Sequence, residues 1–443
     1  MLRTFRLGGV HPPENKLSAN GQIRELPLPA VVSIPTGQHI GAPATPLVKK
    51  GDKVKTGQLI AKSTGFVSAN IHSSVSGTVT KVEGVPDASG YPRTGIVIKV
   101  DGDEWEEQID RSPDLVRSCA LSGPEIVEKI ASAGIVGMGG ATFPTHIKLV
   151  PPKGMKADLL IINGVECEPY LTADNRLMIE KSREILVGTE LLMKALGVEK
   201  ATIGIEGNKP EAIRLMKEAV ADFRGITVEV LRVKYPQGGE KQLINAITGR
   251  EVPSGALPVA VGCVVSNVGT AFAVYEAVQK NKPLFERVLT ITGKHLQQPS
   301  NLKVRVGTPL SEVVAFAGGL PEDTGKIISG GPMMGKAVAS LEIPVTKGTS
   351  GVLLMPGEES LRNPQQPCIR CSRCAANCPM GLEPFLLMTL TEKTMWERLE
   401  KEKVLDCIEC GSCSYTCPAS RPLLDHIRFG KAKVGQMVRS RKN

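Results

Sequence analysis

The sequence predicts a multidomain α/β chain with a Rossmann-like sheet at its centre. Three observations carry this reading. Alternating apolar residues between Gly-containing turns mark a small β unit before residue 115. Strands and helices alternate from about 120 to 280. Two cysteine quartets near the C-terminus are separated by helix-patterned residues. The expected units are 1–115, 116–282, 283–356 and 357–430, with a basic tail over 431–443. At 22% charged and 41% hydrophobic residues, the 443-residue chain has the composition of a folded protein. The net charge is +9, but aromatics are 4% and form no stacking stripe among basic residues, which argues against nucleic-acid binding.

The opening residues, MLRTFRLGGVHPPENK, hold no apolar run of signal-peptide length. Residues Thr45 to Ala61 and Val67 to Glu83 form two similar halves, each with Gly turns and apolar alternation. They resemble the barrel-sandwich hybrid fold of biotinyl and lipoyl carrier domains. Such carriers expose a modifiable Lys at a hairpin tip. Here the tip falls near Gly65-Phe66 and Lys62 is out of phase, so a structural or docking role is expected.

A short amphipathic helix over 124–133 leads into GIVGMGGATFPTHIK, Gly134 to Lys148. The G-x-G-G spacing and the preceding helix separate this loop from the dinucleotide-binding fingerprint. Gly nevertheless permits close backbone approach, and bare N–H groups leading into a helix cradle phosphate. A plain tight turn is the alternative. A buried strand over Ala157 to Gly164 follows, then Glu166-Cys167-Glu168-Pro169. Two acids past a strand suit hydrogen bonds to ring or ribose hydroxyls, or else they cap the helix expected at about 175 to 196. Further strands are expected at Lys200 to Ile205, Thr227 to Lys234 and Val259 to Val265, with helices over Lys209 to Phe223 and from about Ala271. The loop Tyr235-Pro-Gln-Gly-Gly-Glu240 and the turn at Asn267 complete three ligand-facing loops. The uncharged stretch between Glu251 and Glu276 is interrupted by Pro258, Ser266, Asn267, Gly269 and Thr270, so it is not read as a membrane span.

Residues 285 to 340 change to a β-grasp pattern, with strands at Val288 to Gly293 and Leu302 to Val306 and a helix over Leu310 to Ala317. The pair Gly330-Gly331 reads most simply as a turn, or else as a contact to a neighbouring domain. Eight of the eleven cysteines then fall in two C-x2-C-x2-C-x3-C-P runs, Cys368 to Pro379 and Cys407 to Pro418. This spacing wraps a [4Fe–4S] cube, and in two-cluster proteins the fourth Cys of each run ligates the other cube. One set is therefore Cys368, Cys371, Cys374 and Cys417, and the other Cys407, Cys410, Cys413 and Cys378. Zinc, the alternative, takes two separated C-x2-C pairs. Long helices are expected between the runs, giving an α-helical dicluster ferredoxin domain. From Arg428 onward there are six Lys/Arg and no acid. This is either a solvated tail or a surface for an acidic partner or anionic lipid.

The loops GIVGMGGATFPTHIK, NGVECEP, YPQGGEK and SNVGT resemble, in order, the flavin loops of the FMN- and NADH-binding subunit of respiratory complex I. The opening FRLGGVHPPENK, the carrier-like unit, the β-grasp of SLBB type and the twin cysteine runs together resemble the RnfC family of the Rnf electron-transport complex. The resemblance implies noncovalent FMN contacted by Gly137, Gly139, Gly140 and Lys148, with Asn163, Glu166, Tyr235, Gly238, Glu240, Asn267 and Thr270 completing the site. Glu168 and Phe143 would face the nicotinamide nucleotide. Val165 and Gly239 stand where complex I has acids, and Met138 where it usually has Arg. The resemblance also implies a peripheral subunit at the cytoplasmic face of the cell membrane. There it would exchange hydride between NAD(H) and FMN and pass single electrons to or from partner subunits and, indirectly, ferredoxin. No side chain is required as an acid or base. One cube is expected beside Gly134 to Lys148, the other at a partner-facing surface. A cobalamin reductase and a flavin-free electron-transfer adaptor are the competing readings.

Overall fold

The structure is a computed structural model and describes residues 2–441. Its central sheet has four parallel strands in the order Ile226–Leu231, Ala201–Glu206, Leu159–Asn163, Cys263–Asn267. Leu160, Ile161 and Ile162 are fully buried, as expected of a parallel strand covered on both faces. Ile126, Ile130, Leu186 and Val274 cover one face, and Val165, Leu243 and Ile247 the other. The helices Ser182–Leu196 and Val268–Gln279 cross at Gly188, where a Cβ would overlap the Ala271 carbonyl.

Two elements of this unit differ from expectation. The helix expected at about 175 to 196 breaks at Lys181 (φ −133°, ψ 32°) into Ala173–Glu180 and Ser182–Leu196. The fourth strand is shorter than expected, because Pro258–Val261 winds into a 3₁₀ turn closed by Gly262 at φ 75°. Proline fixes φ and lacks the N–H to pair with Leu159–Asn163, so this edge strand begins only after the turn. The following helix then starts at Val268 rather than Ala271, capped by the Asn267 side chain on Gly269 N.

The N-terminal unit places Val31–Pro35, Pro92–Gly102, Ser76–Pro86 and Lys53–Val54 in one sheet, and Thr45–Pro46, Leu59–Lys62 and Ile71–His72 in another. Val32, Ile34, Ile60, Ile71, Val79, Ile96 and Ile98 fill the space between them with no exposure. At the hairpin tip Phe66 is 86% exposed. The third unit is a six-stranded mixed sheet. Its edge strand, Ile23–Glu25, comes from the N-terminal segment and pairs in parallel with Ser300–Arg305. The helix Leu310–Phe316 packs on this sheet through Leu310, Val313 and Val314.

The C-terminal unit is helical. Instead of long helices, two short ones, Pro384–Glu392 and Trp396–Lys401, join the cysteine runs, broken where Thr394 adopts φ 53°. Arg428, Lys431, Lys433 and Arg439 do not lie in a solvated tail but on the helix Leu423–Ser440, which runs through the boundary expected at 430 and buries Leu423, Leu424, Ile427 and Val434. Lys442 and Asn443 lie outside the described residues. Among the described residues no helix is long and apolar enough to cross a membrane.

Candidate functional site

In an open parallel sheet, ligands gather where the strand order reverses, beyond the carboxyl ends. Here that point lies between Leu159–Asn163 and Cys263–Asn267. Asn163 and Asn267 end adjacent strands in register. The Asn267 amide donates to Asn163 O (3.3 Å), and the Asn163 amide donates to Gly238 O (2.9 Å). The glycine loop closes over this end. Met138 N donates to Thr270 Oγ1 (3.0 Å) and Gly137 N to Phe143 O (2.9 Å). A Cβ at Gly139 would meet the Asn267 side chain at 2.9 Å, whereas one at Gly140 would meet nothing within 4 Å. Gly139, Gly140 and Ala141 are exposed. The Lys148 ammonium lies 2.8 Å from Glu240 Oε1 and 3.3 Å from Val265 O. The result is an open glycine loop at the carboxyl end of the sheet, backbone of the kind that cradles phosphate, with Lys148 paired to Glu240 and to Val265 O of the strand Cys263–Asn267.

Several of the expected side chains are engaged by protein. The Glu166 carboxylate accepts Asp174 N (2.7 Å) and Asn175 N (3.1 Å), capping the helix Ala173–Glu180. The Asn267 amide also donates to Asp174 Oδ2 (2.7 Å). Burial, followed by Glu166, pushes the Asp174 carboxyl up to about 7. Glu168 accepts the amides of Met333 (3.1 Å) and Met334 (2.7 Å). These belong to the loop after Gly330-Gly331, so that turn is a contact between units. Burial pushes Glu168 up to about 7 against the pull of those two amides. Behind both acids the Lys16 ammonium donates to the carbonyls of Glu166 (2.9 Å), Glu168 (2.8 Å) and Leu171 (2.7 Å). Asp174 and Lys16 are not among the site residues expected from sequence. The HPPENK segment carries Lys16 without showing which loop it reaches.

The cysteine runs meet in space. An apolar cavity is lined by Cys378, Cys407, Cys410 and Cys413 together with Leu382, Leu387, Leu424 and Ile427. Burial and then the neighbouring thiols Cys407, Cys410 and Cys378 raise Cys413 to about 12. Cys374 is raised by burial, and Cys417 is the thiol that adds to it. Cys378 therefore lies beside the second run's triplet, and Cys417 lies near Cys374 of the first. Among the described residues no three such side chains converge as a mononuclear ion would require. Cys378, Cys407, Cys410 and Cys413 instead share the lining of one cavity. Both runs are wound alike: Arg370 and Glu409 have φ 57°, and Ser372 and Gly411 have φ 58° and 78°. These left-handed steps turn amides inward, and Glu409 N approaches Cys407 Sγ at 3.4 Å. Cys368 and Cys371 are exposed.

The buried quartet adjoins the crevice through the loop Tyr235 to Gln242, not through Gly134 to Lys148. Tyr235 Oη donates to Cys410 O (2.8 Å) and Gln242 Nε2 to Pro379 O (3.1 Å). Gly9 N donates to Asn377 O (3.0 Å), and Val10 pairs with Tyr235. Gln242 lies within the first turn of Glu240–Thr248, and no sequence signal marks it.

Comparison with known proteins gives four family matches. Residues 4–103 match the RnfC barrel sandwich hybrid domain and 130–276 the Nuo51 FMN-binding domain. Residues 288–337 match the SLBB domain and 360–418 the 4Fe-4S dicluster domain. The chain is 51% identical over 438 residues to the C component of the proton-translocating ferredoxin:NAD⁺ oxidoreductase complex of Clostridium ljungdahlii, covering 98% of this chain and 94% of the relative. It is 46% identical over 437 residues to the C component of the Na⁺-translocating ferredoxin:NAD⁺ oxidoreductase complex of Acetobacterium woodii, covering 97% of each. A solved NAD⁺-reducing [NiFe]-hydrogenase in the H2-reduced state shares the fold over 71% of this chain and 63% of its own, with a TM-score of 0.50 and 22% identity.

Proposed function

Because the chain belongs to the RnfC family of ion-translocating ferredoxin:NAD⁺ oxidoreductase complexes, we propose how its residues perform that family's electron transfer. The chain is an oxidoreductase subunit that carries FMN and two [4Fe–4S] clusters and works with NADH and the other subunits of the complex. The family match leaves the cobalamin-reductase and flavin-free readings without support. FMN, when bound, supplies the conversion between a hydride and single electrons. The open cradle at Gly137, Gly139 and Gly140, with Lys148 beside it, holds its phosphate. Asn163, Gly238, Glu240 and Thr270 shape the crevice. Glu166 and Asn267 act one step back, through the helix Ala173–Glu180 and Asp174. Phe143 borders the glycine loop, on the side where the nicotinamide nucleotide approaches. Glu168 ties the crevice to the β-grasp loop and supports that face rather than contacting the nucleotide.

The electron route follows from burial. Cys378, Cys407, Cys410 and Cys413 ligate the near cluster, and Tyr235 and Gln242 fix its distance from the flavin loop. Cys368, Cys371, Cys374 and Cys417 ligate the far cluster, whose exposed loop faces another member of the complex. The chain sits peripherally on the cytoplasmic face of the cell membrane.

The observation that carries this reading is the Tyr235–Cys410 hydrogen bond, which joins the flavin loop to a cluster loop. Its test is an anaerobic NADH titration of the holoprotein followed by flavin absorbance and cluster EPR. In Tyr235→Phe combined with Gln242→Leu, bound FMN is retained and flavin reduction is unchanged, while cluster reduction slows. Equal slowing of both, or of neither, rejects the route.

A further inference from the structure

The basic C-terminal helix is not absorbed by the flavin site or by a membrane contact. One of its faces lines the cavity of the buried cysteine quartet through Leu424 and Ile427. One turn on, along the same face, the Lys431 ammonium donates to the carbonyl of Cys407 (2.7 Å) and to Glu409 Oε1 (2.9 Å). Arg428 Nε lies 3.2 Å from Glu409 Oε2. Two cations thus share one carboxylate, leaving a net positive charge against a ligand loop. The acid facing Cys410 from the other side is Glu168, which is bound by the Met333 and Met334 amides. Asp406 points away, to Ser254 Oγ and Gly255 N. The other quartet has an exposed loop from Leu361 to Arg373, where water screens any nearby arginine.

We propose that Lys431 is a positioning and tuning residue that raises the reduction potential of the near cluster, making it the better electron acceptor from the flavin side. A cube that takes one electron gains one negative charge. A cation held against its ligand loop, one helical turn from the apolar cavity, favours that reduced form, and nearby charge and burial are among the levers that set cluster potentials. Lys431 also orients the Cys407 loop through its carbonyl. Its position on a helix anchored through Leu423, Ile427 and Val434 fixes the root of the side chain beside that loop, with 28% of the side chain left exposed. The basic run is therefore part of the redox machinery in its first half, Arg428 to Lys431.

This inference rests on the ligand assignment above, and the experiment separates the two. The full chain is reconstituted anaerobically. Iron and sulfide are counted, and both clusters are titrated by EPR against a series of reducing poises. Two cubes per chain must be present in every variant; fewer in the parent protein rejects the ligand reading, not the tuning. Given two cubes, Lys431→Gln lowers the reduced-to-oxidised ratio of one cluster at fixed poise by about tenfold, or about 59 mV for a one-electron couple. Glu409→Gln, which removes the neighbouring negative charge, moves the same cluster the opposite way. Lys431→Arg keeps the parent value. The second cluster stays put in all three. A role in folding alone would lower thermal stability without opposite shifts in K431Q and E409Q. Unchanged potentials, or shifts of the same sign in both, overturn the proposal.

Discussion

At the residue scale the site is a set of side chains whose partners lie far away in sequence. Tyr235 and Cys410 are 175 positions apart, Glu168 and Met333 165, and Gln242 and Pro379 137. The cysteine spacing and the glycine loop are legible because each is a local pattern with its chemistry inside one segment. The role of Glu166 is legible only as one of two alternatives, and Asn267 only as a ligand-facing turn. Both side chains look ligand-facing on a strand end until the helix that approaches them is known. Glu168 gives a pH test. Burial raises its folded-state pKa to about 7 from the ordinary value of 4.5. Its contribution is therefore complete below about 4.5 and is lost as pH rises through 7. Stability measured by denaturant unfolding should fall across that window, by at most about 1.4 kcal/mol per pH unit. Glu168→Gln should flatten the fall. His72 acts with the opposite sign. Burial depresses it to about 3, so the folded state loses stability as pH falls below 6.5, and His72→Asn should remove that acid limb.

At the element scale, hydropathy period identifies which segments are strands and helices but not where they stop. The break at Lys181 and the 3₁₀ turn at Pro258–Val261 arise where the chain must re-aim to reach the sheet end, a tertiary demand that leaves little trace in periodicity. The continuation of Leu423–Ser440 escapes a sequence reading for a related reason. Its charges suggest solvent, while its buried stripe is set by what it covers. The crossing at Gly188 is the most constrained contact between elements. Gly188→Ala places a methyl on the Ala271 carbonyl and should cost about 1–3 kcal/mol, read as a lower melting temperature with weaker FMN retention.

At the scale of the whole molecule, one side chain sits where three units meet. The Lys347 side chain is buried and donates to the carbonyls of Asn70 in the N-terminal unit and Gly134 at the root of the glycine loop (both 2.8 Å). Its own carbonyl accepts from Arg287. Replacing it by Met strands two buried carbonyls. Each should cost about 1–3 kcal/mol, and hydrogen exchange around Gly134 should rise. The order of the units is readable from composition and motif. Their junctions are not, because Lys347, Asn70 and Gly134 belong to no shared pattern.

The matching left-handed steps at Arg370 and Glu409, and at Ser372 and Gly411, make the two cysteine runs copies of one hook facing its twin. In the ligation proposed above, each hook would lend three sulfurs to one cube and its last to the other, so neither half could close around its metal while the other is open. Maturation should then be all-or-none. A chain altered at Cys378 alone should emerge with no cubes rather than with one, and iron counts across a partly loaded population should fall into two classes, empty and complete.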